Sequence, residues 1–459
     1  MPGSAQTVDY FEANRAMIRN GVQAVLTCNG LFTSERTLDQ VFAEELTYLG
    51  ERVIGTASDG NYLVDLNRKG VLVGGDADGV QIGAVFREGI GCVVMPPGMA
   101  LEATASFPSL PSSERPSDLD SVPWPLGDQV PALALPEARK VAVQGVSDWA
   151  FDRASPEQVT VSLVIVKGGQ IIHERYAPGF SRHTKTRTWS TAKSIAATLI
   201  GMRVDEGRLS LDQSLDVGWL PELKSDESDP REAITLRHAL HMSTGLYPVD
   251  SFRMEYATGS GLSYWAGASS VKGALNRGLV REPGSYWEYE NYDTLLAVLA
   301  LKQSFENPMD YLSYPQTALF GPLGMNSTLA STDRFGDFIF SSQVYTNARD
   351  LARFGLLHLN RGEWQGERLV SEEWIDFMVT PAPSSDIRGN DYGAHWWLVP
   401  DDRKGDVPAD AYSSAGNRGQ YVIVAPSHDL VVVRRGLDFG RQGFDRWELL
   451  AKVIAALAE

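Results

Sequence analysis

The sequence predicts a mixed α/β fold: an antiparallel sheet flanked by helices, a mostly helical subdomain, and an extra α+β region at the N-terminal end. Three observations predict it. Val159–Val166 and Gln170–Tyr176 are β-rich runs joined by Lys167-Gly168-Gly169, a hairpin signal. A second such pair, Gln420–Ala425 and Leu430–Arg435, flanks Pro426-Ser427-His428-Asp429 near the other end. Between them, from about 195 to 330, the pattern is mostly helical with turn-rich connections. Strand pairs near both ends with helices between them make an antiparallel sheet covered by helices.

The elements follow in order. Residues 1–105 read as an accessory region. Tyr10–Cys28 has helical apolar spacing, and Thr37–Leu49 reads as a second helix with Thr37 as N-cap and Gln40 three residues on. Gly70–Gly74 and Gln81–Phe86 are short β-rich pieces set apart by Gly and Asp. Residues 106–134 are rich in Pro, Ser and Asp and read as a linker or an extended wrap. Residues 135–459 form the main domain, closing on a helix over Phe444–Leu457 with Trp447, Leu450, Val453, Ile454 and Leu457 at helical spacing.

Composition excludes several function classes. The 459 residues are 43% hydrophobic and 22% charged, so disorder, collagen and coiled coil are ruled out for most of the chain. No run nears the ~18–20 apolar residues of a membrane span. The net charge is −17 with no basic run, so nucleic acid is not an expected partner. The two cysteines, Cys28 and Cys92, exclude a cysteine-built zinc site. They fit either one bridge or two buried thiols. The start of the chain lacks a basic n-region and an apolar h-region, so as it stands it reads as cytoplasmic, and as periplasmic if a signal was removed. No G-x-G-x-x-G follows a strand and there is no H-E-x-x-H, so neither a dinucleotide nor a metal is expected. His238 and His241 sit three apart on an expected helix without further ligands, which favours structural roles. There is also no G-x-S-x-G nucleophile elbow.

The chemistry gathers at three places. Thr188-Trp189-Ser190-Thr191-Ala192-Lys193-Ser194 leads into Ile195–Met202, apolar all round and so a buried helix. Ser190 stands where that helix begins, and Lys193 projects on the same face one turn later. A serine hydroxyl is a poor nucleophile until a base takes its proton, and a lysine whose pKa is lowered by burial can do so. Taken alone, a Ser and a Lys three apart more often mark a capped helix and a solvated amine. The second place is Trp287-Glu288-Tyr289-Glu290-Asn291, running into the apolar stretch Leu295–Leu301. Tyr289 can act as base or proton relay, and Asn291 can bond both the lysine and a substrate amide, or simply cap the helix. The third is Ser413-Ser414-Ala415-Gly416-Asn417-Arg418-Gly419-Gln420, a small-residue turn before the last hairpin, where a backbone N–H can join that of Ser190 in an oxyanion hole. Trp189 and Trp287 flank these motifs and are candidate substrate contacts. His395-Trp396-Trp397 reads as core, with one indole available to line the cleft.

From about residue 140 to the end, the chain resembles the S-x-x-K serine hydrolases, the family of penicillin-binding proteins, class C β-lactamases and related esterases and amidases. The resemblance rests on Ser190–Lys193, Val204–Asp212, Leu236–Leu246, Tyr289–Asn291, Pro322–Asn326, Ala348–Arg353 and Gly416–Gln420, in the family's order. Within the family it looks most like 6-aminohexanoate-dimer hydrolase and the family VIII carboxylesterases. The resemblance implies a β-lactamase-like fold with the site between an α/β and a helical part. It also implies Ser190 as nucleophile, Lys193 as its base, Tyr289 assisting proton transfer, Asn291 orienting Lys193 and substrate, and the N–H groups of Ser190 and Asn417 as oxyanion hole. No cofactor is implied.

One departure matters. Where penicillin-recognising members carry Lys-Thr-Gly, or His for the Lys, this chain has the small residues Ser413–Gly416. A cation there would hold a substrate carboxylate, so its absence favours small neutral acyl groups, in esters or amides, over β-lactams and D-peptides. Gly416 and Arg418 remain weaker substrate-binding candidates, Arg418 as a replacement charge. The alternatives are a β-lactam-hydrolysing or D-peptidase enzyme, and a binding protein that kept the fold without the reaction. Oligomeric state and natural substrate stay open.

Overall fold

The computed structural model describes residues 11–46, 61–75, 79–111, 118–131, 135–222, 228–250 and 258–458. The N-terminal part holds helix α1 (Glu12–Cys28) and an antiparallel four-strand meander: β1 (Tyr62–Asp65), β2 (Gly70–Val73), β3 (Ile82–Arg87) and β4 (Gly91–Val94). Cys28 and Cys92 are disulfide-bonded, which ties the end of α1 to β4. Tyr10, expected to open the first helix, lies outside the described residues. Thr37 makes the expected capping box with Gln40. The helix differs from expectation beyond that point: after one α-turn, Val41–Leu46 is wound as a π-helix. The wider turn sets the adjacent Glu44 and Glu45 toward arginines, Glu44 against Arg36 and Glu45 3.1 Å from Arg418. Residues 47–49 of the expected helix fall outside the described residues.

The stretch 106–134 is described except for 112–117 and 132–134, and what is described is a packed wrap. Leu119 and Trp124 are buried, the Trp124 indole donates to the Gly169 carbonyl at 2.9 Å, and Arg353 and Arg349 reach across to its carbonyls.

Next come helix α2 (Glu137–Phe151), strands β5 (Thr160–Lys167) and β6 (Gln170–Tyr176), helix α3 (Thr191–Asp205), the short helix α4 (Ser260–Trp265), α5 (Asn291–Gln303) and α6 (Ala348–Leu359). The chain ends with β7 (Trp397–Leu398), β8 (Tyr412–Gly416), β9 (Gln420–Ala425), β10 (Leu430–Gly436) and α7 (Arg446–Ala458). Strands β5–β10 make one antiparallel sheet in the order β7-β8-β9-β10-β5-β6, so the late hairpin pairs with the early one. The central strands are buried on both faces, which is why they read as unbroken apolar runs. Alternate side chains face opposite ways. Leu163, Ile165, Ile423 and Val432 pack on α2 and α7. Val164, Val166, Val422, Val431 and Val433 join the larger core with Leu351 and Phe354 of α6. Burying each such aliphatic side chain contributes roughly 1.5–3 kcal/mol, enough to hold the two hairpins together across the long chain between them.

Helix α3 has no polar face because it has no solvent face: every residue from Thr191 to Met202 is buried. It runs through the middle of the molecule, with the sheet on one side and α5 on the other. No helix among the described residues is long and apolar enough to cross a membrane.

Candidate active site

Ser190 occupies the N-cap position of α3, yet its hydroxyl makes no capping hydrogen bond. A serine that merely started a helix would spend its oxygen on a free backbone N–H of the first turn. Here the Oγ lies 3.2 Å from Lys193 Nζ, with the Tyr289 phenol beside it. The residue before it, Trp189, is held at φ +50°, a conformation rare for a bulky side chain. The Arg187 guanidinium, 4.1 Å over the Trp189 ring and 4.4 Å over that of Trp265, braces this turn.

Lys193 is 2% exposed. Its Nζ donates to Asn291 Oδ1 at 2.6 Å and to the Ser341 carbonyl at 2.7 Å. Burial brings its pKa down to about 7; the carboxylates of Asp250 and Glu290 pull against that, and Arg187 adds to it. An uncharged amine has two N–H bonds and one lone pair. With both N–H groups taken by fixed acceptors, the lone pair is left for the Ser190 hydroxyl. Burial raises the Tyr289 phenol above its ordinary value, so it stays protonated at neutral pH.

Asn291 is the first residue of α5 but does not cap it. Glu290 does, accepting from the Tyr292 N–H at 3.2 Å. The Asn291 Nδ2 donates to Asp250 Oδ2 at 2.7 Å and to Ser260 Oγ at 3.2 Å. Glu290 also accepts from the backbone N–H groups of Val249 and Asp250, at 2.8 and 3.1 Å. Burial and the neighbouring Asp250 raise its carboxyl above the usual carboxylate range.

The third wall is the end of β8. Gly416 lies so close to the Ser190 turn that a Cβ there would stand 2.1 Å from the Thr188 carbonyl oxygen and 3.1 Å from the Ser190 nitrogen. Thr191 Oγ1 donates to the Gln420 carbonyl at 3.1 Å, fastening the start of α3 to the same hairpin. Asn417, the next residue, is exposed at the turn.

Ser190, Lys193, Tyr289, Asn291 and Gly416 thus converge from three chain segments. Trp189 sits beside them, half-buried. Two expected substrate contacts are corrected. Arg418 does not reach the cleft: its guanidinium is buried against Glu45 at 3.1 Å and the carbonyls of Glu44, Leu437 and Asp438. Trp287 is buried with Met242 and Tyr392 behind Tyr289; the half-exposed indole is that of Trp397, whose ring stacks on Tyr289 with centroids 5.8 Å apart. His238 is a capping residue, its Nδ1 accepting from the Thr235 N–H at 3.2 Å. Among the described residues, no three His, Cys, Asp or Glu side chains gather as a metal-ligand set. Asp250, Ser260 and the Ser341 carbonyl were not expected at the site. Asp250, in a turn-rich stretch with no pattern around it, gave no signal.

The fold is shared with known proteins. The chain is 25% identical over 292 residues to 6-aminohexanoate-dimer hydrolase of Paenarthrobacter ureafaciens, covering 61% of this chain and 72% of that one. EstCE1, a hydrolase with promiscuous acyltransferase activity, shares the fold with a TM-score of 0.52 at 18% identity, covering 70% of this chain and 99% of that one. A D-stereospecific amidohydrolase from Streptomyces sp. does so with a TM-score of 0.50 at 17% identity, covering 69% and 97%. The family described as Beta-lactamase matches residues 151–436, which span the sheet, the buried helix and every converging residue above. The chain belongs to the Beta-lactamase family.

Proposed function

We propose that this protein is a serine hydrolase that cleaves carboxylic esters or amides through an acyl-enzyme on Ser190. The observation that carries the reading is the buried Lys193 amine, its pKa drawn down to about 7 by burial, 3.2 Å from a serine oxygen that caps nothing. Ser190 Oγ attacks the acyl carbon while its proton passes to the Lys193 lone pair. The oxyanion is received by the N–H groups of Ser190 and Asn417. Tyr289, a neutral phenol beside Ser190, relays the proton to the departing alcohol or amine. A water then attacks the ester formed on Ser190, the same groups run in reverse, and the acid is released.

The acyl side of the cleft supports small neutral groups. Ser413–Gly416 offers no cation, and Arg418 is committed to Glu45. The named relatives include a D-stereospecific amidohydrolase and a hydrolase with promiscuous acyltransferase activity, and both ester and amide bonds stay in the proposal. A panel of p-nitrophenyl esters, linear amides, D-peptides and nitrocefin tests it, alongside mass spectrometry after a fluorophosphonate probe. Ester or amide turnover with an adduct on Ser190 supports the reading. Nitrocefin turnover far above the esters would favour a β-lactamase, and absence of an adduct a binding protein.

The base must be unprotonated, so the rate is expected to rise with pH through about 7, following the Lys193 amine, and to fall away on the acid side. A kcat profile flat from pH 5 to pH 9 would contradict the assignment. Gly416→Ala is expected to cut kcat on the order of 10²-fold, the scale of a lost oxyanion donor, because its methyl group would push β8 away from the Ser190 turn. Steady-state kinetics on an ester checks this.

A further inference from the structure

The orientation of one amide decides where the Lys193 lone pair points. Asn291 offers Lys193 either a carbonyl oxygen, which accepts an N–H, or an NH2 group, which would donate to the amine's lone pair and occupy it. The two orientations have nearly the same shape, so packing alone does not choose between them.

The choice is made on the far side of the amide. Asp250 Oδ2 accepts from Asn291 Nδ2 at 2.7 Å and from the Asn291 backbone N–H at 3.2 Å. The same carboxylate accepts from the Ser260 N–H and hydroxyl, both at 2.8 Å, at the start of α4. Because the Ser260 hydroxyl donates to Asp250, its oxygen is free to accept from Asn291 Nδ2 at 3.2 Å. Asp250 Oδ2 already accepts from the Asn291 backbone N–H, so it offers the side-chain amide a lone pair and no proton. Facing Asp250, Asn291 must present its NH2 group, and its Oδ1 must then face Lys193.

We propose that Asp250 is a positioning residue that locks the Asn291 amide so that the Lys193 lone pair is delivered to Ser190. This rests on the hydrolase reading above. Asp250 touches no reacting atom; it acts through Asn291. The groups facing Lys193 are Asp250 and Glu290, Arg187 on the opposite charge, the Tyr289 phenol, and His395, which burial and Lys193 keep neutral. Glu290 is flanked in turn by the buried Arg277–Asp293 pair, 2.8 Å apart. Asp250 is the member of this set that bonds Asn291 directly.

The test compares wild type, Asp250→Asn and Asp250→Ala. It reads the rate of fluorophosphonate labelling of Ser190 across pH, and the Lys193 titration by 13C NMR of lysine Cε. Asp250→Asn keeps an oxygen that can accept from Asn291 but loses the charge. Its labelling plateau is expected to stay within about threefold of wild type, while the Lys193 midpoint moves to lower pH. Asp250→Ala removes acceptor and charge, and its plateau is expected to fall about tenfold or more, the scale of one charge-assisted hydrogen bond, with the midpoint again lower. A merely structural defect would lower the folded fraction without moving the midpoint. A wild-type plateau in Asp250→Ala would overturn the proposal, whatever its midpoint. If wild-type Ser190 takes no probe at any pH, the hydrolase reading fails by itself; hydrogen-exchange protection of the Asn291 side-chain amide then decides on Asp250, and protection unchanged in Asp250→Ala refutes the proposal.

Discussion

Ser190→Ala is expected to lower hydrolysis on the order of 10⁶-fold, the scale reported by nucleophile removal in serine hydrolases, with a melting temperature close to wild type. The two halves of that result come from one fact. The hydroxyl bonds Lys193 and caps no backbone group, so deleting it removes the reacting atom without uncapping α3. A helix-capping serine would behave the opposite way: mutation to alanine costs about 1 kcal/mol of stability and leaves chemistry alone. Ester turnover and a thermal melt on the same preparation separate the two. A variant that hydrolysed normally but melted lower would remove Ser190 from the mechanism.

Lys193→Ala is expected to lower kcat on the order of 10³-fold or more, through loss of the activating base. The loss should persist at high pH, because among the described residues no other group beside the Ser190 hydroxyl can serve as base: the phenol of Tyr289 holds its proton. Truncation also leaves Asn291 Oδ1 and the Ser341 carbonyl facing a buried gap, so the variant's fold is to be checked by circular dichroism before its rate is read. Lys193→Met fills most of the volume without an amine and should show the same loss. Activity recovering to wild-type levels at pH 9 in either variant would point to a different base.

The parts of this site legible in the sequence are those built within one helical turn of a pattern. Ser190 and Lys193 announce themselves because a Ser and a Lys one helical turn apart open a helix that is otherwise apolar all round. Tyr289 and Asn291 do so because they precede another such helix. The sheet was legible because both hairpins carry their own turns. What escaped reading depends on partners far along the chain. The Ser341 carbonyl that fixes Lys193 is 148 positions away, and a backbone oxygen has no residue-type signature. Arg418 looked available to a substrate because its partner, Glu45, stands 373 positions earlier. The expected second helix began with a true capping box and then widened into a π-turn, which local propensity does not distinguish from an α-turn. Whether Cys28 and Cys92 were joined depended on α1 lying across the meander, which spacing does not reveal.

A last consequence follows from Gly21 on α1. A Cβ at that position would stand 1.7 Å from the Trp265 carbonyl oxygen, so the helix backbone lies directly on α4. That short helix supplies Ser260 to the Asp250 carboxylate, and its Tyr264 hydroxyl bonds the Ser341 side chain beside Lys193. The leading segment is therefore a foundation stone rather than a detachable ornament. Trimming the molecule to its family-typical portion would pull away the ground on which the reactive amine stands, and anyone designing a minimal version must first rebuild what α1 supplies.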